Sequence, residues 1–336
     1  MTTIMNVVVI KEFQSLIDYH KSEGTNNFKI RAFQKALSTI KNLEFEIESV
    51  DDVKTIPGIG KGTSARIGEI LNTGKLAEIK NKSVTNELKE LMRITGIGPT
   101  KASALYTNGI TLEILKTNQE IANDNLTHHQ LIGLKYLTDI ESRIPYSEIT
   151  EIQKYIGGIF KTIDVNLQFD ICGSYRRKQP DSGDIDILIY YKSSSSSRSS
   201  ERSDLLKQIV SNLTLSKFLV EHLTECGNTK YMGMCRLNNA LPARRIDIRY
   251  INPENVPFAI LYFTGSGEFN KNMRIYAQKL GYKLNEYCLE KLEIGHQSNG
   301  HEPKKIYLKN EKEIFQFLKL KYVTPSDRVS DYCFPK

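Results

Sequence analysis

The chain has 336 residues, 40% of them hydrophobic and 25% charged, with a net charge of +7. That length excludes a single small domain, the composition supports folded cores, and the positive balance favours a polyanionic partner. Five scattered cysteines, Cys172, Cys226, Cys235, Cys288 and Cys333, form no CxxC pair. This argues against a disulfide framework or zinc site and for a reducing compartment.

The N-terminal run MTTIMNVVVIKEF has no basic region before its apolar stretch and no small-residue cleavage site after it. It is expected to lead into a helix rather than to act as a signal peptide. No apolar stretch approaches the length of a membrane span. FKIRAFQKALSTIKNL follows with helical spacing, and Phe28, Ile30, Phe33, Leu37 and Ile40 are expected to share one face. Residues 1–145 read throughout as helices separated by turns.

An internal echo lies in this half. IPGIGKGTSARI (56–67) and TGIGPTKASAL (95–105) share GIG followed by a helical pattern, about 38 residues apart. In each, the glycines permit a tight turn, and free backbone N–H groups at the helix start suit a phosphate. Two ordinary helical hairpins are the competing reading; duplication on a basic chain favours helix-hairpin-helix DNA binding, which grips the backbone without reading sequence. Gly58, Gly60, Lys61, Gly96, Gly98 and Lys101 are the expected contacts. The turn carbonyls of Lys54, Ile56, Ile59, Met92, Ile94 and Ile97 are expected to hold a monovalent cation, Na⁺ or K⁺.

After about residue 160 the texture changes. NLQFDICG, DIDILIYY and RRIDIRYI are short, alternating and rich in Ile and Tyr, which predicts strands. LLKQIVSNL predicts a helix between them, and KSSSSSRSSERS (192–203) a polar, disordered surface loop. Residues i and i+2 of a strand share a face, so Asp184 and Asp186 project together while Ile185, Ile187 and Ile189 enter a core. Two like charges that close repel unless a cation lies between them. Asp247 adds a third carboxylate from a neighbouring strand, an oxygen-rich set suited to Mg²⁺. Just before the pair, CGSYRRKQPDSGD places Gly173 and Ser174 in a loop that can hold phosphates, with Arg176 and Arg177 close by. Solvent-exposed strand ends with surface salt bridges are the competing reading, but the combination GS…GDID…RIDIR predicts a nucleotidyltransferase site.

These segments, with LTHHQLIGLKYL…RIP, TKYMG, LYFTGS, FNKNMR and NEY, make the chain resemble the family X DNA polymerases of the beta type over nearly its whole length. The resemblance implies a multi-domain α and α+β fold: a helical lyase-like domain (1–82), a helical duplex-binding subdomain (83–145), a catalytic palm (146–254) and a nucleotide-selection subdomain (255–336). It implies gap-filling synthesis from dNTPs on gapped or nicked DNA during base excision or break repair. Two Mg²⁺ ions, or Mn²⁺ in their place, would be held by Asp184, Asp186 and Asp247. Ser174, Arg177 and Gly183 match positions that hold the triphosphate. Tyr262, Phe263 and Gly265 match the segment beside the sugar, Asn270 and Arg274 positions at the nascent pair, and Glu286 with Arg249 a switch that accompanies closing. Lys29, Lys35, Lys230 and Arg245 match DNA contacts. A monomer with no membrane association is implied, located inside the cell (in the nucleus, or at a viral replication site or in a virion). Ligase or repair scaffold proteins are implied as partners.

Two departures stand out. Gly267 replaces an aspartate that stacks near the incoming base. Arg66 occupies the position of the lysine that forms a Schiff base in the 5′-deoxyribose-phosphate lyase reaction, which needs an unprotonated amine. Gly62 replaces a second lysine and Phe33 a tyrosine, leaving a gap-binding module or a lyase with a relocated lysine, Lys61 or Lys35, as the alternatives. Template-independent terminal transfer is a further reading, opposed by the short CRLNNALPARRID connection. A non-enzymatic gapped-DNA-binding protein is opposed by the survival of all three carboxylates.

Overall fold

The computed structural model describes residues 6–22, 27–79, 82–192, 199–292, 304–329, 332, 334 and 335. They form two compact units, Met1–Leu137 and Thr138–Lys336. Among the described residues no helix is long and apolar enough to cross a membrane.

The first unit is helical: α1 (Val7–Ser22), α2 (Asn27–Lys41), α3 (Lys61–Thr73), α4 (Lys82–Met92), α5 (Pro99–Thr107), α6 (Leu112–Thr117), α7 (Gln119–Asn125) and α8 (His128–Lys135), with α9 (Leu137–Glu141) crossing the division. Phe13, Leu16, Phe33, Leu37, Ile40 and Ile67 of α1–α3 build one apolar core. Leu88, Leu91, Ile94, Leu105 and Leu115 build a second. The expected face of α2 holds for Ile30, Phe33, Leu37 and Ile40, but Phe28 is 78% exposed. It lies five positions before Phe33, about 140° around the helix, which puts it on the opposite side.

The two GIG segments fold alike. Ile56 donates its N–H to the carbonyl of Val53 and Ile59 to that of Ile56; Ile94 donates to Leu91 and Ile97 to Ile94. The first glycine of each has a positive φ, +100° at Gly58 and +89° at Gly96, a region that side chains with a Cβ resist. The second, Gly60 or Gly98, is the extended N-cap of α3 or α5 and supplies no capping side chain.

The second unit opens with β1 (Ile144–Pro145), α10 (Tyr146–Ile163), β2 (Leu167–Ile171), α11 (Gly173–Arg176), β3 (Asp181–Ser182), β4 (Ile185–Tyr191), α12 (Ser199–Leu215), β5 (Leu219–His222), β6 (Lys230–Cys235) and β7 (Arg244–Tyr250). Its main sheet has the order β2-β4-β7-β6-β5, with β4 and β7 parallel and the other neighbours antiparallel. Ile185, Ile187, Ile189, Ile246 and Ile248 are fully buried against Ile149, Ile152, Leu206 and Ile209 of α10 and α12. Arg244 also points to that face, where it makes a two-point ion pair with the buried Glu148 of α10, both bonds 2.8 Å. The Oγ of Ser142 accepts from the same guanidinium at 2.7 Å. Leaving either charge there alone would be costly, so the pair fixes where β7 begins relative to α10.

The chain closes with α13 (Val256–Thr264), α14 (Gly267–Lys279), β8 (Tyr282–Leu284), β9 (Leu289–Lys291), β10 (Lys305–Ile306) and α15 (Glu311–Phe317), packed around Phe258, Phe269, Met273 and Phe315. The expected Ser-rich loop needs correction. Residues 193–198 lie outside the described residues, but α12 already begins at Ser199. Once the amphipathic run after Arg202 is helical, adding a turn upstream requires no new nucleus. Cys172, Cys226, Cys235 and Cys288 are free thiols, and Cys333 lies outside the described residues.

Candidate active site

The pleat that buries the isoleucines presents a polar row on the opposite face of the main sheet. Asp186 of β4 stands directly beside Asp247 of β7 in the parallel register. One step toward the strand starts, Asp184 is ion-paired with Arg245. On the far side of β7, Met232 neighbours Asp247 and Lys230 neighbours Arg249. Asp184, Asp186 and Asp247, the carboxylates expected to face one another, thus share this face with Arg245 and Lys230.

The charges on this face do not balance locally. Burial pushes the Asp186 carboxyl up to about 6, and the adjacent Asp247 carboxylate pushes the same way; Arg249 pulls down but does not compensate. A pair of hard oxygen donors left in that state suits a divalent cation, which would relieve both the repulsion and the desolvation. The donor set therefore fits divalent metal. Asp184 is held by Arg245 instead, and among the described residues no three His, Cys, Asp or Glu side chains converge as a ready-made metal cluster. Asp184 joins the pair only by exchanging its guanidinium partner.

The loop expected to hold phosphates adjoins these carboxylates. The N–H of Cys172 donates to the carbonyl of Asp186 at 2.8 Å, and Gly173 follows with φ +60°. A Cβ at Gly173 would stand 3.2 Å from an Asp186 carboxylate oxygen, so glycine is what allows the loop to approach the acid so closely. Ser174 donates its hydroxyl to Ser182 at 2.8 Å. Gly183 sits against Arg143, where a Cβ would come within 3.0 Å of the guanidinium. Arg177 donates to the carbonyl of Thr264 at 2.5 Å, tying this loop to the end of α13 beside Gly265.

Next to that junction, the amide of Asn270 donates to the carbonyl of Tyr262 at 2.6 Å, and the Arg274 guanidinium lies 4.9 Å from the centre of the Tyr262 ring. Arg249 lies over Phe263 at 4.8 Å. Arg249 and Glu286 line one small cleft of about 130 Å³, but among the described residues no ion pair joins them. At Gly267 a Cβ would meet nothing within 4 Å, so the aspartate-to-glycine departure leaves open space.

Sequence reasoning missed the group that ties α11 to the last helix. Arg176 binds Glu311 with bonds of 2.6 and 3.2 Å and donates to the Thr264 hydroxyl at 2.7 Å. Fully buried Arg328 binds the same Glu311 at 2.7 Å. The partners lie up to 135 residues apart, and no local pattern announces them.

In the first unit, the sites expected to hold DNA are separate features. At Gly60 and Gly98 a Cβ would meet nothing within 4 Å, so both helix starts are open to a backbone phosphate. Lys35 lies against the Gly58 turn. Arg66 is not free: its Nε donates to Glu78 at 2.7 Å, its Nη2 makes a second bond to Glu78, and its guanidinium lies 5.1 Å from the centre of the Phe33 ring.

Family comparisons cover almost the whole chain. A helix-hairpin-helix domain matches residues 5–76, and a SAM-like helix-hairpin-helix tandem residues 50–106. The fingers domain of DNA polymerase lambda matches 89–141, the DNA polymerase beta palm 143–253 and the DNA polymerase beta thumb 259–329. The chain is 30% identical to DNA polymerase lambda of Arabidopsis thaliana over 96% of its own length and 62% of that protein's. It is 29% identical to DNA polymerase lambda of Rattus norvegicus over 97% of its length and 56% of that protein's. It is also similar to the DNA polymerase/3′-5′ exonuclease PolX of Bacillus subtilis, at 23% identity, over 85% of this chain and 50% of that protein. The chain thus spans between 50% and 62% of the length of these relatives.

The carboxylate pair yields a stability prediction. Folding raises the Asp186 pKa, so the folded state binds the proton more tightly than the unfolded state does. Stability of the metal-free protein therefore falls as pH rises from the usual carboxylate range to about 6. Asp186→Asn is expected to remove this loss and to stabilise the metal-free protein at pH 7 by on the order of 2–3 kcal/mol. Thermal denaturation in chelator measures it. A melting temperature at or below that of the wild type would contradict the electrostatic account.

Proposed function

The chain belongs to the family X DNA polymerases, and on that premise we propose that it is a template-directed polymerase filling short gaps in DNA. It would join a deoxynucleotide from a dNTP to a primer 3′-hydroxyl with loss of pyrophosphate. The observation that carries this reading is the Asp186–Asp247 pair with the Gly173–Arg177 loop folded against it.

We assign the parts as follows. Residues 1–82 and 83–145 hold duplex through the two hairpins; 146–254 is the palm, and 255–336 selects the nucleotide. Asp184, Asp186 and Asp247 hold divalent metal, two Mg²⁺ ions with Mn²⁺ able to substitute. When bound, such ions supply positive charge to the triphosphate and to the primer oxygen. Ser174, Arg177 and the backbone at Gly183 bind the triphosphate. Tyr262, Phe263 and Gly265 crowd the sugar, while Asn270 and Arg274 face the nascent pair. Lys230 and Arg245 take primer or template phosphates. The hairpin carbonyls of Lys54, Ile56, Ile59, Met92, Ile94 and Ile97 would hold Na⁺ or K⁺, which would add positive charge beside the DNA backbone. The connection between β6 and β7, residues 236–243, is short, which supports templated over untemplated addition.

We assign no lyase step to the first unit. Arg66 stands where the reaction needs an amine, and a guanidinium remains protonated at neutral pH. Lys29, the amine in contact with that cluster, is already engaged by Glu78 at 3.0 Å.

Primer extension on a one-nucleotide gap with Mg²⁺ tests the polymerase. Asp247→Ala should reduce addition below a few per cent of wild type while leaving gapped-DNA affinity within about threefold, since the hairpins grip the backbone. Retained extension would sink the site assignment. For the lyase, borohydride treatment on an incised abasic site should trap no covalent complex with wild type. Trapping that Lys61→Ala or Lys35→Ala removes would show that the nucleophile has moved.

A further inference from the structure

Three side chains in the first unit converge on one carboxylate. Glu78 Oε1 accepts from Lys29 at 3.0 Å and lies 2.9 Å from His20 Nε2; Oε2 accepts both Arg66 bonds. Phe33 forms the apolar floor, stacked with His20 at 5.3 Å and lying beneath Lys29 and Arg66. Burial alone would raise the Glu78 pKa, but hydrogen bonds from Lys29 and Arg66 and their charges hold it at about 2. Burial and the nearby Lys29 charge lower the pKa of His20, against the opposing pull of Glu78. A carboxylate only accepts, so the ring proton facing it is on Nε2.

A guanidinium, an ammonium and an imidazole N–H aimed at one point are the donors that bind a phosphate monoester. Here a side chain of the protein itself fills that point. Glu78 does not come from the helices that carry the donors; it follows α3 on a short segment. That segment is pinned by its backbone: the N–H of Leu76 donates to Glu12 and that of Ala77 to Glu69. The Glu78 side chain keeps 28% of its surface exposed and that of Lys29 43%, so an outside anion can reach the cluster. Swinging the carboxylate outward needs only a rotamer change, because its backbone is held independently.

We propose that Glu78 is a built-in occupant of a 5′-phosphate pocket, competing with the 5′-phosphorylated end of the downstream strand for Arg66, Lys29 and His20. This rests on reading the first unit as a gapped-DNA module. Glu78 thereby sets how strongly the protein distinguishes a 5′-phosphate from a 5′-hydroxyl. In the wild type Glu78 already engages all three donors and offsets one of their two positive charges, so the distinction is small.

The test is binding, without dNTP, of fluorescein-labelled one-nucleotide-gapped duplexes carrying either a 5′-phosphate or a 5′-hydroxyl. Wild type should favour the phosphate by less than about fivefold. Glu78→Gln should widen that ratio at least tenfold, and Glu78→Asp, whose shorter side chain reaches the donors less well, should widen it by a smaller factor. Adding Arg66→Met to Glu78→Gln should cancel the gain. Inorganic phosphate at millimolar concentration should compete against the 5′-phosphate duplex in Glu78→Gln only if free phosphate suffices as ligand; without such competition, the site takes the DNA end. An unchanged ratio in both Glu78 variants would overturn the proposal and mark Glu78 as purely structural. The readout is independent of catalysis. A widened ratio in a protein that fails to extend primers would reject the polymerase reading while keeping this one.

Discussion

Everything in the second unit turns on one register. Parallel pairing of β4 with β7 sets Asp186 beside Asp247 and, in the same stroke, sends five isoleucines to the opposite face. Apolar burial holds the strands together: each fully buried isoleucine contributes roughly 1.5–3 kcal/mol. A slip of one residue would invert the faces, placing carboxylates in the core and isoleucines in water. The register is therefore strongly specified, and the like-charge pair follows from it. Arg244 with Glu148 fixes the start of β7, and Gly173 lets the Gly173–Arg177 loop approach the carboxylates closely. The fold thus supplies the energy that holds two acids together, and a divalent cation recovers part of it.

The first unit solves the opposite problem. Its cations converge instead of its anions, and a single glutamate bridges them. Its expected DNA contacts are of another kind: two hairpins whose N-cap glycines leave backbone N–H groups open. These suit a polyanion of any sequence, as the gap filling proposed above would require.

Much of this was legible in the sequence because it is periodic or local. The alternation around DIDIL gave the strand, the face of each aspartate and the identity of the core residues. The repeated GIG gave two turns that need positive φ. Where the pattern was weak, the reading failed: Phe28 was assigned to the buried face of α2 although it lies five positions from Phe33, and α12 starts inside the serine run. What no local pattern encodes is partnership across the chain. Glu78 is one acidic residue in an unremarkable segment, and Glu311 becomes important only when Arg176 and Arg328 reach it. The pairing of Asp184 with Arg245 was also invisible, since their shared face was predictable but their side-chain choice was not.

The central claim is that the carboxylate face exists to hold divalent ions. Electron paramagnetic resonance of Mn²⁺, titrated into protein bound to a dideoxy-terminated gapped duplex and the complementary dNTP, measures this directly. After subtracting the ions carried by DNA and dNTP alone, the wild type should hold two Mn²⁺ per chain and Asp186→Asn none at the same concentrations. Equal binding by wild type and Asp186→Asn would contradict the account.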